Sequence, residues 1–260
     1  MADILVAKIG GSTLGSHDTT LMDVVALHRR GIRPVVVHGG GAMISDWLFR
    51  NNVETSFVGG LRVTDEASLE IVVAVLGGVV NKQIVATLNA LGAKAVGLSG
   101  VDGNMLRAHL QDEALGFVGA EPRVETSVIE SLLADDAIPV IAPLGTLWAE
   151  EHATGQILNI NADAAAGAIA AALKARWLVF LTDVEGVRGA DGSMLARLSA
   201  AEATSLMQSG VIDGGMIPKV GACLTAVATG CLGVIADGRQ EGALASVVDG
   251  EIVGTLLGDG

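Results

Sequence analysis

The sequence predicts an α/β chain organised on a mainly parallel sheet. Three observations point to it. Short apolar runs recur between helix-length stretches, the pattern of βαβ units. Most of those runs end in Gly, Asp, Ser or Thr, as strands do where they meet a loop. The hydrophobic share of 50% contains only 3% aromatic residues and no Tyr. A core of Val, Ala, Leu and Ile suits strands that are buried on both faces.

The expected strands cover 4–9, 34–38, 93–98, 138–142, 177–182 and 233–236. Helix-like segments lie between them, among them 65–91, 161–173 and 216–229. The stretch 54–64 reads as a hairpin around Gly59-Gly60. A second hairpin is expected over 146–158. With no linker, repeat or low-complexity tract, 1–260 reads as one domain with a boundary near residue 175. In a parallel sheet, ligands sit beyond the carboxyl ends of the strands, so the loops after these runs are where chemistry is expected.

A net charge of −13, from 29 acidic and 16 basic residues, argues against nucleic acid as a partner. The same field repels a free nucleotide, so a phosphate site must be made locally from backbone N–H groups and placed lysines. Cys223 and Cys231 sit in apolar surroundings and read as buried thiols of a reducing compartment. The five His residues form no cluster, and His38 reads as a strand-end residue rather than a ligand. No signal peptide is evident. The run 164–173 is shorter than the roughly 20 residues a bilayer needs. A cytoplasmic chain with no membrane segment is expected.

Six loops suit chemistry. Lys8-Ile9-Gly10-Gly11 ends the first strand with a cation and two glycines whose N–H groups can nest an anion. His38-Gly39-Gly40-Gly41 places three glycines between a buried strand and a helix, where a bound anion offsets their entropic cost. Neither is a dinucleotide fingerprint or a P-loop: the chain has no G-x-G-x-x-G and no Gly-Lys pair. Arg62 leaves the hairpin just before a helix capped by Thr64 or Asp65, and suits a bidentate carboxylate clamp. Asn159-Ile160-Asn161-Ala162-Asp163 opens an alanine-rich helix, and Asn161 or Asp163 serves there as an N-cap or as a catalytic group. The remaining two are 181–187 and 214–220. In the last, Pro218 fits a first helical turn and puts Lys219 against the helix dipole, where an anion would relieve it.

Glycine loops, two lysines and a carboxylate fit phosphoryl transfer, which is mostly positioning and charge stabilisation. No activated Ser or Cys and no general base is recognisable. A carboxylate acceptor needs no base because it is already ionised at neutral pH, so the pattern points to an acyl phosphate product.

The ordered motifs resemble the acetylglutamate kinases of the amino acid kinase family. Lys-x-Gly-Gly at Lys8–Gly11 and the triple glycine at Gly39–Gly41 are shared across that family. Gly60-Leu61-Arg62-Val63-Thr64-Asp65, Asn159-Ile160-Asn161-Ala162-Asp163 and Gly214-Gly215-Met216-Ile217-Pro218-Lys219-Val220 are specific to this branch. The resemblance covers essentially the whole chain. It implies a three-layer αβα sandwich with a mostly parallel open sheet. The lobe to about residue 175 would take acetylglutamate and mediate dimerisation, and 176–260 would take ATP. It implies catalytic roles for Lys8 and Lys219, with Asp163 orienting them. Gly40, Gly41, Arg62 and Asn159 would bind the substrate. Gly10, Gly11, Asp183, Gly186, Val187, Gly214 and Met216 would bind ATP. Mg²⁺ would arrive as MgATP, with no metal site of the protein's own.

Two positions depart from the branch. Val101 stands where many relatives have Lys, and Ala236 where Ile is usual. Arginine-inhibited relatives carry an extra helix ahead of the first strand; here a strand is expected from about residue 4, which implies an arginine-insensitive homodimer. The rival readings are a carrier-protein-linked aminoadipate or glutamate kinase and a non-catalytic amino-acid sensor. Retention of Lys8, Asp163 and Lys219 together speaks against the sensor. No motif identifies a docking site for a PII-type signalling protein.

Overall fold

The computed structural model describes residues 3–10, 19–149, 152–251 and 253–258. In chain order the strands are β1 (Ile4–Ile9), β2 (Arg33–His38), β3 (Phe57–Val58), β4 (Leu61–Arg62), β5 (Ala95–Ser99), β6 (Leu106–Leu110) and β7 (Val118–Val124). They continue as β8 (Ile138–Ala142), β9 (Leu144–Ala149), β10 (His152–Ile160), β11 (Trp177–Thr182), β12 (Arg197–Leu198), β13 (Leu232–Asp237) and β14 (Thr255–Leu257). The helices are α1 (Thr20–Arg29), α2 (Gly41–Arg50), α3 (Glu66–Val73), α4 (Asn81–Ala90), α5 (Ser127–Ala134), α6 (Ala162–Ala172), α7 (Ala200–Gln208), α8 (Met216–Val227) and α9 (Ala243–Val248).

Eight strands form the main sheet in the order β12-β14-β13-β11-β1-β2-β8-β5. All pairings are parallel except β13 with β14. Two hydrophobic clusters lie on its faces. Val6, Val35, Val37, Leu178 and Phe180 pack against α5, α6, α7 and α8. Leu5, Ala7, Ile9, Val36 and Val179 pack against α1, α2, α3, α4 and α9. The side-chain period of two divides each central strand between these layers, and the result is the expected three-layer αβα sandwich. β1 is central, with β2, β8 and β5 added on one side and β11 and β13 on the other. The strand order reverses beside β1, and the crevice at its carboxyl end is the place where such sheets bind ligands.

The strands expected at 4–9, 138–142 and 177–182 occur with those bounds, and the other three shift by a residue or two at their ends. The Gly-Gly hairpin is present as β3–β4, with φ of 57° at Gly59 and 81° at Gly60. Positive φ at both central residues is a type I′ feature that glycine adopts without strain. The second hairpin, β9–β10, belongs to something the sequence reading lacked: β6, β7, β9 and β10 close into a small four-stranded barrel.

The segment expected as one helix over 65–91 is helical from Glu66 to Ala90, but its middle, Ala74–Val80, is a π-helical turn joining α3 to α4. Among the described residues, this 25-residue segment is the one helix whose length and composition alone would permit a membrane crossing. It lies along the sheet with Val72, Val75, Leu76, Ile84 and Leu88 buried. Both cysteines are free and buried, and burial pushes the thiol of Cys231 up to about 12.

Candidate active site

Lys8 is the fifth residue of β1 and shares a face with Val6, the face covered by α6 and α8. Its ammonium therefore meets groups from those two helices. Lys8 Nζ lies 2.7 Å from Asp163 Oδ1, and Lys219 Nζ lies 2.9 Å from Asp163 Oδ2. Lys219 also donates to the Gly215 carbonyl at 3.4 Å.

The alternatives left open at the start of α6 resolve cleanly. Asn161 is the N-cap, its side chain accepting from the N–H groups of Asp163 and Ala164. Asp163 is then free for the lysines, and it sits in the first turn of α6, where the helix dipole favours a negative charge. Burial alone would push the Asp163 carboxyl up; the charges of Lys8 and Lys219 outweigh that and hold it below the usual carboxylate range. With Asp163 ionised, the trio bears one net positive charge inside an acidic protein. A net positive charge at this point is what a locally built anion site would need.

Two clefts meet at Lys8 and Gly41. The first is lined by Gly39, Gly40, Gly41, Arg62, Asn159 and Asp163, among others. The second is lined by Lys8, Gly10, Gly41, Thr182, Asp183 and Lys219. Lys8 and Asp163 thus look into one cleft, and Lys8 and Lys219 into the other.

In the first cleft, Arg62 is 8% exposed. Its guanidinium donates to the Gly41 carbonyl at 3.1 Å, to Ser45 Oγ at 2.8 Å and to Thr55 Oγ1, and it stacks 4.7 Å from the Phe57 ring centroid. Burial lowers its pKa, and among the described residues no carboxylate pairs with it. A buried guanidinium without a counter-anion suits a ligand that brings one. Asn159 donates to Thr64 Oγ1 at 3.1 Å, and Thr64 in turn donates to the Arg62 carbonyl at 3.0 Å. A Cβ at Gly40 would stand 2.7 Å from Leu76 Cδ2, so any side chain there would require Leu76 to shift.

Around the second cleft, Asp183 accepts from Thr182 Oγ1 at 3.1 Å. Gly186 abuts Thr255, whose hydroxyl would be 2.6 Å from an added Cβ. Val187 is buried, and its N–H is taken by Thr255 Oγ1 at 2.8 Å. Gly214 has φ 49° ahead of α8, and Met216 opens that helix with its N–H donating to the Asp213 carbonyl at 3.1 Å. Gly11 lies outside the described residues.

Sequence reasoning singled out neither Thr64 as a partner of Asn159 nor Ser45 and Thr55 as holders of Arg62. Thr64 was visible only as one of two possible caps of α3; that cap is Asp65, which accepts from the Ser68 N–H. Ser45 and Thr55 carry no signal outside their placement beside Arg62.

The chain matches the family model of the amino acid kinase family over residues 3–237. It is 43% identical over 257 residues to the acetylglutamate kinase of a Dehalococcoides mccartyi strain, which covers 98% of this chain and 94% of that protein. To the acetylglutamate kinase of a Jannaschia species it is 47% identical over 245 residues, covering 93% of this chain and 84% of that one. Among solved structures, a Streptococcus mutans protein superimposes with a TM-score of 0.82 at 30% identity, covering 99% of both chains. The N-acetylglutamate synthase of Neisseria gonorrhoeae, complexed with coenzyme A and N-acetyl-glutamate, reaches 0.82 at 26% identity, this chain spanning 60% of it. A Giardia lamblia carbamate kinase bound to AMP-PNP shares the fold, with a TM-score of 0.71 at 17% identity.

Proposed function

The chain belongs to the amino acid kinase family, and from that premise we propose that it transfers the γ-phosphoryl group of ATP to the γ-carboxylate of N-acetyl-L-glutamate, a step of arginine biosynthesis. The relatives named acetylglutamate kinase, at 43% and 47% identity over nearly the whole chain, support the substrate. The observation that supports the chemistry best is Asp163 holding Lys8 and Lys219 where two clefts meet.

On this reading the acceptor occupies the first cleft. Arg62 and Asn159 hold its α-carboxylate and surroundings, with N–H groups of Gly40 and Gly41 beside the reacting end. The nucleotide occupies the second cleft, cradled by Gly10, Gly11, Asp183, Gly186, Val187, Gly214 and Met216. The lobe to about residue 175 serves the acceptor and 176–260 serves ATP. One γ-carboxylate oxygen attacks the γ-phosphorus, the bond from phosphorus to the bridging oxygen breaks, and ADP leaves with that electron pair. No proton has to be removed from the ionised acceptor. Lys8 and Lys219 offset the charge on the phosphoryl group in transit, and Asp163 keeps them apart and oriented rather than taking a proton.

Magnesium fits as a companion of the nucleotide, since it keeps waters and takes phosphate oxygens with one or two carboxylates. Among the described residues no group of three His, Cys, Asp or Glu lies close enough to hold an ion. Asp183 is the carboxylate of the second cleft not already committed to lysines. When bound, the ion would neutralise phosphate charge. The reading includes a cytoplasmic homodimer.

The test is hydroxylamine trapping with ATP, Mg²⁺ and N-acetyl-L-glutamate, run beside L-glutamate, L-aspartate and α-aminoadipate. Hydroxamate from N-acetyl-L-glutamate alone is the expected result. No product from any free amino acid would transfer the reading to a carrier-linked acceptor or a sensor.

A further inference from the structure

The alternation that turns Lys8 toward α6 and α8 turns His38, at the end of neighbouring β2, toward the other helical layer. There it is fully buried and its ring is bonded at both nitrogens. Nδ1 lies 3.0 Å from the Gly39 carbonyl oxygen, and Nε2 lies 3.1 Å from Asn81 Nδ2. A carbonyl only accepts and an amide NH₂ only donates, so the ring carries its proton on Nδ1 and keeps a lone pair on Nε2. The Asn81 amide is itself fixed. Its nitrogen also lies 2.9 Å from the Val140 carbonyl and 3.2 Å from the Leu98 carbonyl, so its two N–H donors are shared among three acceptors, while its oxygen accepts from Lys82 Nζ at 3.1 Å. Turning the amide over would set its oxygen against two carbonyls and its nitrogen against an ammonium.

Asn81 reaches this place because of the π-helical turn over Ala74–Val80 that immediately precedes it. Such a turn inserts extra backbone into a helix and shifts the face its later residues present. Here it seats the helix at two glycines. Leu76 lies under Gly40, and Asn81 fits against Gly97, where an added Cβ would stand 2.0 Å from Asn81 Oδ1.

We propose that Asn81 and His38 form a positioning couple for the glycine turn of the acceptor cleft, Asn81 fixing the ring tautomer whose Nδ1–H anchors the Gly39 carbonyl. In a trans peptide the N–H points opposite to the C=O. Anchoring the Gly39 carbonyl on the His38 ring therefore aims the Gly40 N–H away from it. Among the described residues no acceptor takes the Gly40 or Gly41 N–H, so both remain for a ligand. Burial favours the uncharged ring, whose pKa is lowered to about 4. The couple thus keeps one donor arrangement across the physiological range. Neither residue reaches substrate: both act through the backbone of 39–41. The inference rests on the reading of Gly40 and Gly41 as acceptor-binding.

Two measurements test it separately from that reading. ¹⁵N NMR of histidine-labelled protein at pH 7.5 should show His38 protonated at Nδ1 and bare at Nε2, and the Gly40 and Gly41 amide resonances should move in Asn81→Ala. A ring protonated at Nε2 instead, or unmoved glycine amides in the folded variant, would overturn the couple whatever the enzyme's substrate. In kinetics, Asn81→Ala and His38→Gln should raise the KM for N-acetyl-L-glutamate tenfold or more while the KM for ATP stays within twofold. His38→Asn, whose amide can replace Nδ1, should recover much of the loss. Equal rises in both KM values would reduce the couple to a structural contact. Unaltered NMR signatures combined with no wild-type turnover would instead count against the acceptor reading alone.

Discussion

The Arg62 guanidinium donates to the Gly41 carbonyl at 3.1 Å, so the β3–β4 hairpin and the glycine turn share one side chain. On the proposed reading, an acceptor carboxylate at Arg62 would therefore touch both elements at once. Arg62→Lys keeps the charge but loses the planar fork that spans Gly41, Ser45 and Thr55. The KM for N-acetyl-L-glutamate should rise at least tenfold in Arg62→Lys and further in Arg62→Ala, with the KM for ATP little changed. An equal effect on ATP, read from initial rates at varied concentrations of each substrate, would place Arg62 outside the acceptor site.

Removing Lys219 leaves Asp163 paired to Lys8 alone and, on the proposed reading, takes one of two positive charges from the phosphoryl path. Loss of a single preorganised charge-stabilising donor costs about 10²–10³ in kcat, and Lys219→Ala should fall in that range or below it. Asp163→Asn should lose activity comparably, because it leaves two ammonium groups crowded without an anion. Asp163 also bears on acid stability. Its native pKa is lowered, so its contribution is fully present above the ordinary value of about 3.9 and is lost as pH falls through the lower native value. Urea midpoints of wild type and Asp163→Asn should converge on acidification below about pH 4.

His38 acts in a higher window. Burial, with a smaller contribution from the Lys82 charge, lowers its pKa to about 4 against the opposing hydrogen bond to Gly39. The unfolded chain takes up a proton near pH 6.5 that the native chain refuses until about 4. Stability should thus be full above about 6.5, decline as pH falls, and level off below about 4, a loss of about 3 kcal/mol from this residue. Denaturant midpoints of wild type and His38→Asn, compared from pH 8 to 4.5, should show the wild type falling more steeply.

Gly97→Ala places a methyl carbon 2.0 Å from Asn81 Oδ1 and 2.8 Å from Lys82 Nζ. The helix must move off β5 or Asn81 must turn. Overpacking of this kind costs about 1–3 kcal/mol, and thermal melting should show it. The same variant should bind acceptor more weakly. A variant as stable as wild type would show that the close fit at Gly97 is relaxed in solution.

Phe57 and Val58 are more than half exposed at the hairpin tip beside the first cleft. If the hairpin closes over acceptor, N-acetyl-L-glutamate should slow protease cleavage between residues 55 and 60. Unchanged cleavage would mean that the hairpin does not close.

Much of the site was legible in the sequence because its residues break local rules. Lys8 ends a buried strand, three glycines follow His38, and Lys219 stands in a first helical turn against the dipole. Each is costly unless an anion or a partner compensates, and in two of the three the partner is Asp163. What stayed hidden has no local cost to reveal it. The barrel strands Leu106–Leu110 and Val118–Val124 mix polar and apolar residues, and besides pairing with each other they close the barrel onto β9 and β10, about 40 residues further on. The π-helical turn contains Gly77-Gly78, a pair of weak helix formers that breaks local propensity but does not by itself specify a π turn. Asn81 looks like a routine polar residue in a helix until the sheet beneath it supplies Val140, Leu98 and His38.

The far end of the hairpin is clamped. Thr64 donates its N–H to the Leu115 carbonyl and accepts from the Phe117 N–H, and the Asn159 N–H returns to the Phe117 carbonyl. Gly116 packs so closely that a Cβ would meet the Thr64 oxygen at 2.4 Å. The hairpin is therefore built like a bracket: its root is set into the barrel wall, and its half-exposed tip at Phe57 and Val58 is held back by the Phe57 ring lying on Arg62. A load on the tip would be passed through Arg62 to the glycine turn, while Asn159, bonded to the root, would keep its place.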